Sequence, residues 1–143
     1  MEPTITSAAI ATLISAITSA LVTVWINKNN KQKYIDEQLD SLLKISIQYP
    51  YLENPAFTST WNNKKSSNEE EYLRYDIYCT LLFNYLSRIA KYKKYNKNKI
   101  EKYIAIKDWV RLHKDYWLYP TCPYENSDSY DDSFKELINY YIN

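Results

Sequence analysis

The chain reads as all-α. Three observations predict it: apolar residues recur at three- and four-residue spacing in every long segment, no segment alternates apolar with polar residues as a half-buried strand would, and the stops fall at prolines. With 143 residues there is room for one small core beyond the first helix. The predicted architecture is a long N-terminal helix that continues into a small helical bundle.

The first element is marked by charge. Ile5 through Ile26 carries no charged side chain, and Lys28, Lys31 and Lys33 follow at once. At about 1.5 Å of rise per residue such a run matches the hydrocarbon core of a bilayer, about 30 Å thick. Only Met1 to Thr4 precede it, with Glu2 as their one charged side chain, so the basic leader of a signal peptide is missing. The expectation is a single-pass transmembrane helix over residues 1–27, with Trp25 at the inner interface, and a helical domain over residues 28–143. Because the lysines flank only its C-terminal side, the positive-inside bias predicts a cytoplasmic domain and an N-terminus outside the bacterial inner membrane.

Ile35, Leu39, Leu42, Leu43 and Ile47 extend the same helix to about Tyr49, where Pro50 stops it. Tyr49 to Pro55 reads as a turn and an extended piece, and Asn62 to Asn68 as a polar loop. Ser67 followed by Glu70 has capping-box spacing, and Glu69, Glu70 and Glu71 suit the positive end of a helix dipole. The helix they open is predicted to reach about Tyr95. Its inner stripe is Tyr72, Asp76, Cys79, Phe83, Leu86 and Ala90, broadened by Leu82 and Ile89, with Asp76 at the margin. After a turn at Asn96 to Asn98, one further helix is expected from about Lys99 to Trp117, burying Ile100, Tyr103, Ile104, Val110 and Trp117. Pro120 and Pro123 end it, and a last helix from about Tyr130 to Ile142 carries Tyr130, Phe134, Leu137, Ile138 and Tyr141 on one face.

Plotted at 100° per residue, the first helix has two unlike sides. Thr4, Ser7, Ala8, Ala11, Thr12, Ser15, Thr18, Ser19 and Thr23 fall on one, and Ile10, Leu13, Ile14, Ile17, Leu21 and Val24 on the other. A small residue at every fourth position permits close helix approach, which predicts a homo-oligomer. Its small face would either line a polar pore or close as a packed seam, while in a monomer the hydroxyls would bond back to their own helix.

Composition removes several chemistries. The chain has no glycine, so phosphate-cradling loops, dinucleotide fingerprints and nucleophile elbows are out of reach. Its two cysteines, Cys79 and Cys122, form no metal-binding spacing, and no cofactor, metal or small-molecule substrate is implied. The formal net charge of +1 points neither toward nor away from nucleic acid. Arg88, Lys91, Lys93, Lys94, Lys97, Lys99 and Lys102, interleaved with Tyr92, Tyr95 and Tyr103, gather basic charge at one turn. Such a region reads as a solvated end of the bundle, or as a patch for RNA phosphates or anionic lipid headgroups. The one histidine, His113, has Trp109 and Trp117 at four-residue spacing, and with Arg111 nearby it is expected to be structural or to couple subunits rather than to catalyse.

In layout, and in its Tyr49-Pro50 turn, its Trp109 to Trp117 segment and its aromatic last helix, the chain resembles a group of small bacterial membrane proteins with a cytoplasmic HEPN-like helical domain. The group includes the membrane accessory proteins of type VI-B RNA-targeting CRISPR systems. The resemblance implies a homo-oligomeric membrane pore that depolarises the inner membrane in anti-phage defence. The partners it implies are other copies of the chain, membrane lipids, and an RNA-guided nuclease or its RNA product. The HEPN signature places an arginine ahead of the histidine, and the positions it requires here hold Ile106, Lys107 and Asp108. That departure speaks against ribonuclease activity. The alternatives are a membrane-tethered adaptor for a protein partner and a HEPN-type RNase with an atypical site.

Overall fold

The computed structural model describes residues 3–119 and 129–143, the side chains of residues 3–8 and of Ala11 excepted. Every regular element among the described residues is helical. The chain divides into two compact units, Met1–Glu37 and Gln38–Asn143.

Helix α1, Pro3–Gln48, begins in the first unit. There Leu13, Ile14, Ile17, Leu21, Val24 and Trp25 are all exposed, while Ile35 is buried. The expected membrane span is corrected: among the described residues no helix is long and apolar enough to cross a membrane. The single-pass placement at the inner membrane falls with the span.

In the second unit, the end of α1 buries Leu42, and the chain then turns through a 3-10 helix at Pro50–Glu53, α2 at Pro55–Thr58, a 3-10 turn at Trp61–Asn63 and α3 at Lys64–Ser67. An extended piece and a polar loop were the expectation here. Single helical turns form instead because Pro50 and Pro55 occupy first helical positions, where their fixed φ starts a turn rather than breaking one. Trp61 then anchors the segment, buried and stacked on Tyr72 at 5.1 Å between ring centroids.

Helix α4, Glu69–Tyr92, is the centre of the unit. Its cap is Asn68, whose side chain accepts from the Glu71 N–H at 3.2 Å, one residue beyond the expected Ser67. The predicted stripe is buried from Tyr72 to Ala90, with Asp76 half-buried at its edge and accepting from the Tyr116 hydroxyl at 2.9 Å. The helix stops before Tyr95 because Lys94 and Tyr95 take left-handed φ of 54° and 55°. Without a glycine to accept that backbone, each residue bears roughly 1–2 kcal/mol of strain. The Tyr95 N–H donates to the Ala90 carbonyl at 2.8 Å and its hydroxyl to Asp131 at 2.8 Å, which hold the turn.

The single helix expected over 99–117 is three: α5, Lys97–Glu101; α6, Ile106–Leu112; and α7, Lys114–Leu118. Burial explains the breaks. Ile100, Ile104, Ile106, Val110 and His113 are all buried, yet in one continuous helix Ile104 and Ile106 would point about 200° apart. Breaking the helix between them lets both face the core. The final helix α8, Asp132–Ile142, is capped by Asp131, packs on α6 and buries Phe134, Leu137, Ile138 and Tyr141. The loop carrying Pro120, Cys122 and Pro123 lies outside the described residues.

Candidate functional site

The break between α6 and α7 sets His113 at a helix end with its side chain fully buried. Tyr75 and Tyr78, one helical turn apart on α4, each bring a ring centroid to 5.7 Å from the imidazole. His113 Nδ1 is 3.0 Å from the Tyr75 hydroxyl and 3.8 Å from Cys79 Sγ, while Nε2 lies 3.4 Å from Glu53 Oε1. The Tyr78 hydroxyl donates to the same Glu53 oxygen and shares a 2.9 Å hydrogen bond with Ser46 Oγ. One network thus joins α1, the Pro50–Glu53 turn, α4 and the α6 end.

Its electrostatics favour cohesion over reactivity. Burial alone raises the Glu53 carboxyl, but hydrogen bonds from His113 and Tyr78 and the attraction of His113 outweigh it, so that the group titrates below its ordinary 4.5. Burial pushes the phenols of Tyr75 and Tyr78 and the Cys79 thiol upward, Tyr75 and Tyr78 being held further by the Glu53 charge. The thiol and both phenols therefore stay protonated near neutral pH, and the ionised, partly exposed carboxylate of the cluster is Glu53.

Arg111 does not join His113. It lies exposed on α6, where its Nε donates to the Tyr141 carbonyl at 3.4 Å, and it lines a separate cleft of about 370 Å³ with Pro55, Leu112, Asp108, Lys114 and Asp115 among its walls. Among the described residues no group of three or more His, Cys, Asp or Glu side chains is placed to hold a metal ion.

The basic residues are engaged at several places. Lys91 pairs with Asp131 at 3.0 Å, Lys93 lies 4.2 Å from the Tyr103 ring centroid, and Lys97 lies 3.2 Å from that of Tyr140. Arg88, Lys94 and Lys99 are exposed. On the small face of α1, Thr12, Ser15, Thr18, Ser19 and Thr23 are exposed, and the Thr18 and Thr23 hydroxyls donate to the Ile14 and Ser19 carbonyls of their own helix at 2.9 and 2.8 Å. The side chains of Ser7, Ala8 and Ala11 lie outside the described residues.

One feature of the second unit was missed by the sequence reading. A groove of about 390 Å³ runs along the outer face of α4, lined by Ile45, Tyr49, Glu70, Leu73, Arg74, Ile77, Tyr78 and Leu81. Leu73, Ile77 and Leu81 are 47%, 61% and 44% exposed. At one end Arg74 pairs with Glu70, donates to the Tyr51 hydroxyl at 3.0 Å and sits 4.0 Å from the Tyr49 ring centroid. The signal was present in the four-residue spacing of Leu73, Ile77 and Leu81, a second apolar row beside the inner stripe.

No protein-family model matches the chain, and no curated protein and no solved structure is found to be significantly similar to it.

Proposed function

We propose that the chain is a non-catalytic, self-associating helical adaptor. The observation that carries the reading is a contrast in exposure. His113, Tyr75 and Cys79, the groups best suited to chemistry, are sealed in the core, whereas the groove on α4 and the Ile and Leu row of α1 lie open as apolar surface. A contiguous apolar groove bordered by charged groups suits an amphipathic helix laid into it, read through anchors at three- and four-residue spacing. Catalysis would need one of the titratable groups to reach a substrate, and His113, Tyr75 and Cys79 are closed off from solvent, with Glu53 partly exposed at the edge of the cluster.

The experiment is a mass measurement by light scattering on the purified full chain, together with incubation of the same sample with single-stranded RNA. The reading expects a mass above the 17.1 kDa of one chain and intact RNA. A protein that stays at the single-chain mass at every concentration, or one that cleaves RNA and loses this with His113→Ala while remaining folded, contradicts it.

A further inference from the structure

We infer that the α4 groove receives the N-terminal part of α1 from a second copy of this chain, in antiparallel orientation. The inference rests on the self-associating reading and names the surfaces that meet. Two exposed rows carry it. On α4 the row is Glu70, Leu73, Ile77 and Leu81, at the groove. On α1 it is Ile17, Leu21, Val24 and Lys28, whose three apolar members are 53%, 65% and 66% exposed. Both rows advance in steps of three or four residues, so each keeps to one side of its helix.

Their register and charge agree only when the helices run in opposite directions. From Lys28 back to Ile17 and from Glu70 on to Leu81 the two rows cover the same length, about 16 Å of helix. Antiparallel alignment sets Lys28 beside the acidic first turn of α4, where Glu69 and Glu70 stand, and brings Val24 to Leu73, Leu21 to Ile77 and Ile17 to Leu81. A parallel arrangement puts Lys28 against Leu81 and leaves the acidic turn facing Ile17. Opposed macrodipoles favour the antiparallel choice as well. Because both rows are exposed within one chain, a second copy brings each the cover it lacks, and a twofold pair makes the contact twice.

The test uses the full chain, with circular dichroism to verify helix content and sedimentation equilibrium to read association. Ile77→Glu and Leu21→Glu, at exposed positions on the two rows, should each weaken association at least about tenfold, because each buries a carboxylate against apolar side chains. Lys28→Glu should weaken it roughly two- to fivefold, and adding Glu69→Lys should restore it, since exposed ion pairs carry effects of that size. Glu69 is the better partner to exchange because Glu70 already holds Arg74. If Ile77→Glu is folded and assembles as the wild type does, the inference is overturned while association through another face remains. If Ile77→Glu dissociates the assembly but Leu21→Glu does not, some other segment fills the groove and the inference is again overturned. A wild-type chain that never associates overturns both this inference and the adaptor reading.

Discussion

The two units use the same helical periodicity to different ends. In Gln38–Asn143 the apolar stripe of α4 is covered by the α1 end, by Trp61, by the α5 to α7 segment and by α8, and the result is a core rich in tyrosine, with Tyr72, Tyr75, Tyr78, Tyr85 and Tyr141 all buried. In Met1–Glu37 an equally regular row of Ile, Leu and Val stays exposed along α1. Periodicity marks which side chains share a face, and only a second layer decides whether that face is buried. Where the chain supplies the layer, the stripe becomes core. Where it does not, the stripe stays exposed, as does the outer row of α4.

The difference can be broken most strongly from the core side. Trp61→Ala empties the largest buried side chain of the second unit and should cost about 3–5 kcal/mol of unfolding free energy, measured by urea denaturation. Leu21→Ala on the exposed row should change the stability of the single chain by less than about 0.5 kcal/mol in the same assay. Equal losses at the two sites would mean that the α1 row is already covered within the chain.

A smaller effect follows from the polar network. His113→Ala leaves the Tyr75 hydroxyl and the Glu53 carboxylate short of a partner and should destabilise by roughly 2–3 kcal/mol, with association per folded molecule unchanged. Its pH signature comes from Glu53. With its native pKa below the ordinary 4.5, the ionised carboxylate stabilises the fold fully above that pH, and the contribution is lost as pH falls through the lowered native value. Glu53→Gln should therefore flatten the acid limb of stability against pH, and an unchanged limb would assign acid sensitivity to other carboxylates. Below the His113 effect, Asn68→Ala removes the α4 cap and should cost about 1 kcal/mol, whereas Ser67→Ala, at the position first expected to cap, should cost less.

How much of this was legible in the sequence depends on whether the deciding interaction is local. The α4 stripe, the acidic first turn and the α8 face come from spacing within one helix, and they stand where periodicity puts them. The break at 102–105 was invisible to the same argument, because it arises when Ile104 and Ile106 must both reach the core. Pro50 and Pro55 were read as stops although proline also starts helical turns, and Trp61, buried against Tyr72, makes that second role the effective one. The absence of charge from Ile5 to Ile26 was taken for a membrane span. Among the described residues no helix is long and apolar enough to cross a membrane, and the described side chains of this one place small polar residues and larger apolar ones on different sides. The Glu53–His113 pair could not be foreseen, since its two members are distant in sequence and meet only through Tyr78 and the α6 end. The α4 groove is legible in the four-residue spacing of Leu73, Ile77 and Leu81, a row one step round the helix from the buried stripe.

The central claim is that the exposed rows exist to be covered by another copy. Sedimentation equilibrium of the purified full chain tests it most directly. The account predicts a concentration-dependent mass that rises above 17.1 kDa and returns to it with Ile77→Glu, at unchanged helix content. A wild-type chain that holds to 17.1 kDa across the whole concentration range would contradict it.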